Sequence, residues 1–138
     1  MLEAKVITSS IPCSAQAVYD AIWMPEMFQV WASGLSSSLM ERDGAIWTAQ
    51  GPEGPIRIRF TDRNSFGVMD HWVDLGAVAW STYRCGSSRN GEGSEVMLIL
   101  FRQPWMTPEQ FAADEAWVRR DLEPLKEWVL VRREQRER

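Results

Sequence analysis

The sequence predicts an α+β fold, a curved antiparallel sheet of about seven strands wrapped around one long C-terminal helix. Two observations carry this. Short segments alternating apolar and polar residues, separated by turn residues, fill the middle of the chain, which marks antiparallel strands joined by hairpins. After Pro104-Trp105-Met106 the period changes. Phe111, Val118, Leu122, Leu125 and Val129 recur at spacings of 7, 4, 3 and 4, one stripe of a single helix. One helix covering much of a curved sheet encloses a cavity more readily than a solid core. The architecture points to ligand binding.

The elements follow in order. Ala4 to Ile11 is β-branched and polar and reads as a strand stopped by Pro12. Ser14 caps a helix carrying Val18, Tyr19 and Ile22, which ends before Pro25. Met24, Met27, Phe28 and Trp31 fall at helical spacing and predict a second short helix ending near Gly34. Asp43-Gly44 between Leu39–Arg42 and Ala45–Gln50 predicts a tight hairpin. Gly51-Pro52-Glu53-Gly54-Pro55 is a turn by composition.

Ile56, Ile58 and Phe60 then alternate with Arg57, Arg59 and Thr61, giving one apolar and one polar face. Past the Asp62-Arg63-Asn64 turn, Met69, His71, Val73 and Leu75 alternate with Asp70, Trp72 and Asp74. A two-residue turn at Leu75-Gly76 would set Val73 against Val78 and His71 against Trp80. Met69 would then face Thr82, with Arg84 on the same inner face. A loop over Ser87–Gly93 leads to the last strand, Glu95–Arg102. Thr107 and Gln110 form a capping box for the long helix, with Pro108 in its first turn. Pro124 lies within the apolar stripe and predicts a kink near Arg120–Asp121. Residues 1–131 make one domain, and residues 132–138 a charged, frayed tail.

Composition narrows the function classes. The 138 residues suffice for one core without staples, and 45% hydrophobic with 25% charged residues is ordinary for a globular chain. Eight tryptophans and seven methionines stand out, suited to pocket walls and to cores alike. A net charge of −4 without a single-sign tract gives nucleic-acid binding no electrostatic footing. One histidine and two distant cysteines, Cys13 and Cys85, make no zinc pattern and fit a reducing compartment. No glycine motif for a nucleotide and no nucleophile elbow occurs. The reading is of no metal, no cofactor, no membrane span and a cytoplasmic location; the oligomeric state is left open.

The order strand, two short helices, six strands and a long helix resembles the helix-grip fold of the Bet v1-like, START-like superfamily, also called SRPBCC. The resemblance covers about residues 3–130. It is closest to uncharacterised bacterial members loosely labelled polyketide cyclase or dehydratase. Trp31-Ala32-Ser33-Gly34, Phe66-Gly67-Val68-Met69-Asp70-His71, Asn90-Gly91-Glu92-Gly93-Ser94-Glu95 and Leu100-Phe101-Arg102-Gln103-Pro104 carry it, with Asp121-Leu122 and Leu125-Lys126. Tyr83–Arg89 departs from the pattern. The resemblance implies an apolar cavity, with lipid, sterol or polyketide-like ligands, more strongly than it implies a reaction.

The candidate residues follow from the strand faces. His71, the only histidine, would face the long helix, where a near-neutral imidazole serves as acid–base or simply lines a cavity. Asp70 cannot pair with it, since neighbours on a strand point apart; Asp70 and Asp74 should join Arg57 and Arg59 in an outer charge ladder, with Trp72 available for stacking. Arg84 and Glu95 would pair at the cavity end, either as a structural closure or as a ligand anchor. Asp114 and Asp121, at the stripe margin, could present carboxylates to the cavity or bond to neighbouring structure. Ile58, Phe60, Met69, Trp80, Val118, Leu122 and Leu125 should line the cavity, Phe28 and Trp31 close its mouth, and Asn64 and Thr82 supply polar groups.

Three functions are open at this point. The first is a binder of a small, mostly apolar molecule. The second is a cyclase or dehydratase-like enzyme using His71, with Arg84 or Asn64 polarising a carbonyl. The third is a protein-interaction module with exposed tryptophans as contacts.

Overall fold

The computed structural model describes residues 1–32, 39–51, 54–74, 76 and 80–138. Strand β1 (Ala4–Ile11) leads into α1 (Ala15–Ile22), a single 3₁₀ turn (Pro25–Met27) and the short α2 (Phe28–Trp31). Six strands follow: β2 (Glu41–Asp43), β3 (Ile46–Gly51), β4 (Gly54–Phe60), β5 (His71–Asp74), β6 (Ser81–Asn90) and β7 (Gly93–Phe101). The chain closes with α3 (Pro108–Glu137). The seven strands form one antiparallel sheet in the order β1-β7-β6-β5-β4-β3-β2. This is the curved sheet and gripping helix expected, with both short helices after β1.

Local chemistry explains the boundaries. Ser14 Oγ accepts the backbone N–H of Ala17 and starts α1. The Thr107–Gln110 capping box is formed in both directions, at 2.8 and 3.1 Å. Gly44, at φ 62°, turns β2 into β3. The expected helix end at Gly34 and the Pro52-Glu53 turn lie outside the described residues. Helix α3 packs its stripe, Phe111, Leu122, Leu125 and Val129, onto a core with Ile7, Ile58, Val96 and Leu100.

Three expectations are corrected. First, the β5–β6 connection is longer than two residues. His71 pairs with Tyr83, not Trp80, and Val73 pairs with Ser81. The shift is three residues, an odd number, so every β6 side chain changes face. Second, the pairing of β5 starts only at His71. Met69 lies in the preceding segment and donates its N–H to the Cys85 carbonyl at 2.8 Å. Third, Ser87 to Asn90 belong to β6, and the turn into β7 is only Gly91-Glu92. Helix α3 contains Pro124 and runs on to Glu137. Buried Leu122 and Leu125 on either side of Pro124 hold the helix to the sheet, offsetting the lost backbone bond. Residues 132–137 extend the helix, and Arg133 ties it to the Pro12 carbonyl and to Glu137.

Candidate functional site

Between α2, the β5–β6 pair and the first half of α3 lies a small pocket of ≈ 40 Å³. Phe28, Trp31, His71, Tyr83, Trp117 and Val118 supply its walls, with Asp114 and Asp121 from α3. Each arrives for a local reason. Phe28 and Trp31 are the buried residues of α2. His71 and Tyr83 are cross-strand partners, so both point inward from adjacent strands. Asp114, Trp117, Val118 and Asp121 are three and four residues apart and share one side of α3.

The rings pack tightly. His71 and Tyr83 stack face to face, with centroids 5.2 Å apart and planes 6° apart. Phe28 meets His71 edge-on at 5.4 Å and Phe60 at 5.4 Å. A neighbouring recess of ≈ 20 Å³ shares Phe28, Trp31 and His71 with Phe60 and Met69. Both volumes fall far below the roughly 300–1,000 Å³ of typical small-molecule pockets.

Four polar groups, His71, Asp114, Tyr83 and Trp31, give the pocket its chemistry. His71 Nδ1 lies 3.3 Å from the Met69 carbonyl. A carbonyl only accepts, so Nδ1 carries the proton and Nε2 is left as an acceptor. Burial lowers the His71 pKa to about 4, against small raising effects from the Met69 carbonyl and the Asp70 charge. The ring is therefore neutral at pH 7. Asp114 accepts from the Tyr83 hydroxyl at 3.3 Å. Burial raises its carboxyl to about 6, with the Tyr83 bond pulling the other way. The Tyr83 phenol itself is pushed up, by burial first and then by the Asp114 charge. Finally, the Trp31 Nε1–H is buried with no hydrogen-bond partner among the described residues, an uncommon and costly state for a donor. Cys85 is buried and its thiol is raised to about 12, chiefly by burial, so it is no nucleophile.

The expected site residues separate into three groups. Phe28, Trp31, His71, Val118 and Asp121 come together in the pocket, with Phe60 and Met69 in the adjoining recess. Ile58 and Leu122 are core residues. The others lie elsewhere. Trp80 lies under the Arg57 guanidinium, and Thr82 pairs with Trp72 on the outer face. Arg84 binds Asp70 at 2.8 Å rather than Glu95. Glu95 is bonded by Ser10 and Asn90 on the outer side of β7. Asn64 spends its amide on its own loop, accepting from the N–H groups of Phe66 and Val68 and donating to the carbonyls of Asp62 and Val68. The odd register shift accounts for Trp80, Thr82 and Arg84, and it also brings in Tyr83, which no sequence signal had singled out. Asp114 was visible seven residues before Asp121, but its phenol partner was not.

Similar folds occur among solved structures. XoxI from Bacillus cereus aligns at a TM-score of 0.70 with 16% identity, over 94% of this chain and 96% of that one. The Aha1 dimer from Colwellia psychrerythraea aligns at 0.70 with 10% identity, over 93% and 96%. Ara h 8.0201 aligns at 0.67 with 10% identity, over 95% and 99%. The fold is the Bet v1-like helix grip. DynU16, from the dynemicin biosynthetic locus, shares this helix grip at 0.68 with 16% identity, and the present chain spans 46% of its length. No family profile and no curated protein sequence matches this chain.

Among the described residues no helix is long and apolar enough to cross a membrane, and no group of three His, Cys, Asp or Glu side chains could hold a metal ion.

Proposed function

We propose that this protein binds a small, mostly apolar ligand between the sheet and α3, with its polar end at Trp31, Tyr83 and Asp114. The observation that carries the reading is an aromatic pocket with few, convergent polar groups, one of them a buried donor without a partner among the described residues. The shared Bet v1-like fold supports it. A cavity of ≈ 40 Å³ holds only a head group, so the ligand body must displace side chains or lie along the mouth. Trp31 and Trp117 report on that event by fluorescence. Native mass spectrometry of the purified protein, followed by tryptophan quenching with the molecule found, tests the reading. A retained apolar molecule whose affinity falls about ten-fold on Trp31→Leu supports it. Retained molecules indifferent to Trp31 defeat it.

A second reading, acid–base catalysis at His71, has one specific support. His71 and Asp114 line the same pocket with pKa values displaced in opposite directions, toward about 4 and about 6. In this reading the neutral His71 takes a proton through Nε2. His71→Gln should then lower turnover about 100-fold or more while ligand affinity changes little. Equal turnover in the two proteins would remove catalysis by this ring.

A further inference from the structure

The pocket has an electrostatic asymmetry. Among the described residues its lining contains the carboxylates of Asp114 and Asp121, of which Asp121 has a partner of its own, and no lysine or arginine. The nearby cations have partners other than Asp114, and one of them, Arg120, rests on the pocket wall at Trp117. Lys5 pairs with Glu115 at 3.2 Å, Arg119 lies 3.9 Å from the same carboxylate, and Arg120 lies over the Trp117 ring at 5.8 Å. Arg84, expected to supply a positive charge inside, is held by Asp70 on the other face of the sheet. Among the described residues no cation pairs with Asp114, whose contacts reduce to the Tyr83 hydroxyl. A carboxylate withdrawn from water without a counter-charge is costly, and a bound cation relieves the cost.

The walls suit the same ligand. Trp31, Tyr83 and Trp117 line the same pocket as Asp114, and aromatic faces attract ammonium groups, more strongly where water is excluded. His71, with Nδ1 donating to Met69, adds an acceptor and no positive charge. Carboxylate-headed molecules such as fatty acids would meet Asp114 with like charge and find one buried donor, Trp31 Nε1. The volume of ≈ 40 Å³ admits an ammonium head but not a ring.

We infer that the ligand of this pocket is an amine: an apolar body carrying a protonated nitrogen that seats against Asp114 among Trp31, Tyr83 and Trp117. The inference rests on the proposal that the pocket binds a small apolar ligand at all, and the test separates the two. Three matched probes, 2-phenylethylamine, 2-phenylethanol and 3-phenylpropanoate, are titrated at pH 7.5 against tryptophan fluorescence. The amine is expected to bind at least about ten-fold more tightly than either other probe. Asp114→Asn should bring the amine-to-alcohol ratio near one. Trp117→Leu, at a partly exposed position that tolerates change, should reduce the same ratio about three-fold or more. Alcohol or carboxylate binding as well as the amine in the native protein overturns the amine class and leaves the apolar pocket standing. An amine preference that survives both substitutions places the amine elsewhere and overturns the assignment to Asp114. Failure of all three probes to bind overturns the pocket reading together with the inference.

Discussion

His71 and Asp114 sit in the same pocket, and burial moves both toward neutrality from opposite directions. An imidazole whose pKa falls from 6.5 to about 4 binds fewer protons folded than unfolded across that window. Its contribution to stability therefore rises with pH from about 4 to 6.5. A carboxyl raised from 3.8 to about 6 keeps its proton longer in the folded state, so its contribution falls as pH rises through that range. Each effect is at most about 3–3.5 kcal/mol and the two oppose one another. Denaturant titrations from pH 4 to 6.5 should show wild type gaining on His71→Gln with rising pH, and losing ground to Asp114→Asn. Parallel profiles for either variant would mean that the corresponding group titrates normally. Tyr83→Phe makes a sharper test of the phenol. Its bond holds the Asp114 carboxyl down, so the variant should titrate above about 6 by carboxyl carbon NMR. A downward shift would show that the bond stabilises the protonated acid instead.

At the scale of elements, the segment between β4 and β5 is fastened to β6, through Met69 N–H to the Cys85 carbonyl and Ser87 N–H to the Gly67 carbonyl. Asn64 rigidifies it by bonding four backbone groups, and the Tyr19 hydroxyl accepts the Asn64 N–H at 2.8 Å. Gly67 then passes so close to β6 that an added Cβ would lie 2.8 Å from the Ser87 carbonyl oxygen, and its φ is +71°. Both the left-handed backbone and the contact exclude a side chain. Gly67→Ala should cost about 2 kcal/mol or more, read as a lower denaturation midpoint with an unchanged denaturant slope. A loss under about 0.5 kcal/mol would mean that the segment can move away from β6 freely. On the outer face, the Arg57–Asp74 pair at 2.9 Å and Arg59 stacked on Trp72 at 5.6 Å realise half of the charge ladder expected from strand alternation, while Asp70 pairs with Arg84 instead. The Arg57–Asp74 pair is solvent-exposed on its arginine side and contributes little to stability; it marks strand register.

For the whole molecule the open question is how a nearly filled grip accommodates a ligand. Phe28 contacts Trp31, Phe60 and His71 and separates the two recesses, which it lines from both sides. Phe28→Ala should merge them at a cost of about 3–5 kcal/mol. The enlarged site should bind a small aromatic such as toluene, detectable as a ligand-dependent rise in melting temperature. An unchanged melting temperature at saturating toluene would mean that the surrounding side chains collapse into the space.

Periodicity and punctuation, both local, settled most of the architecture in advance. β1 was readable over Ala4–Ile11, α1 from its Ser14 cap, the β2–β3 hairpin from Asp43-Gly44, and α3 from its stripe and capping box. These signals act within a few residues, where side-chain direction follows from backbone period alone. The burial of His71 and the inward face of Phe28 and Trp31 were legible for the same reason. The β5–β6 register was not. It depends on the length of a connection that carries no hairpin signature beyond Gly76, and a change of one residue exchanges inside for outside. Hence Arg84 and Tyr83 traded places, and an arginine expected on the inner face gave way to a phenol bonded to Asp114. Sequence alone determined a sheet gripping a helix; the polarity of what it grips was decided by tertiary pairing, because the faces of β6 are set by a partner strand and not by β6 itself.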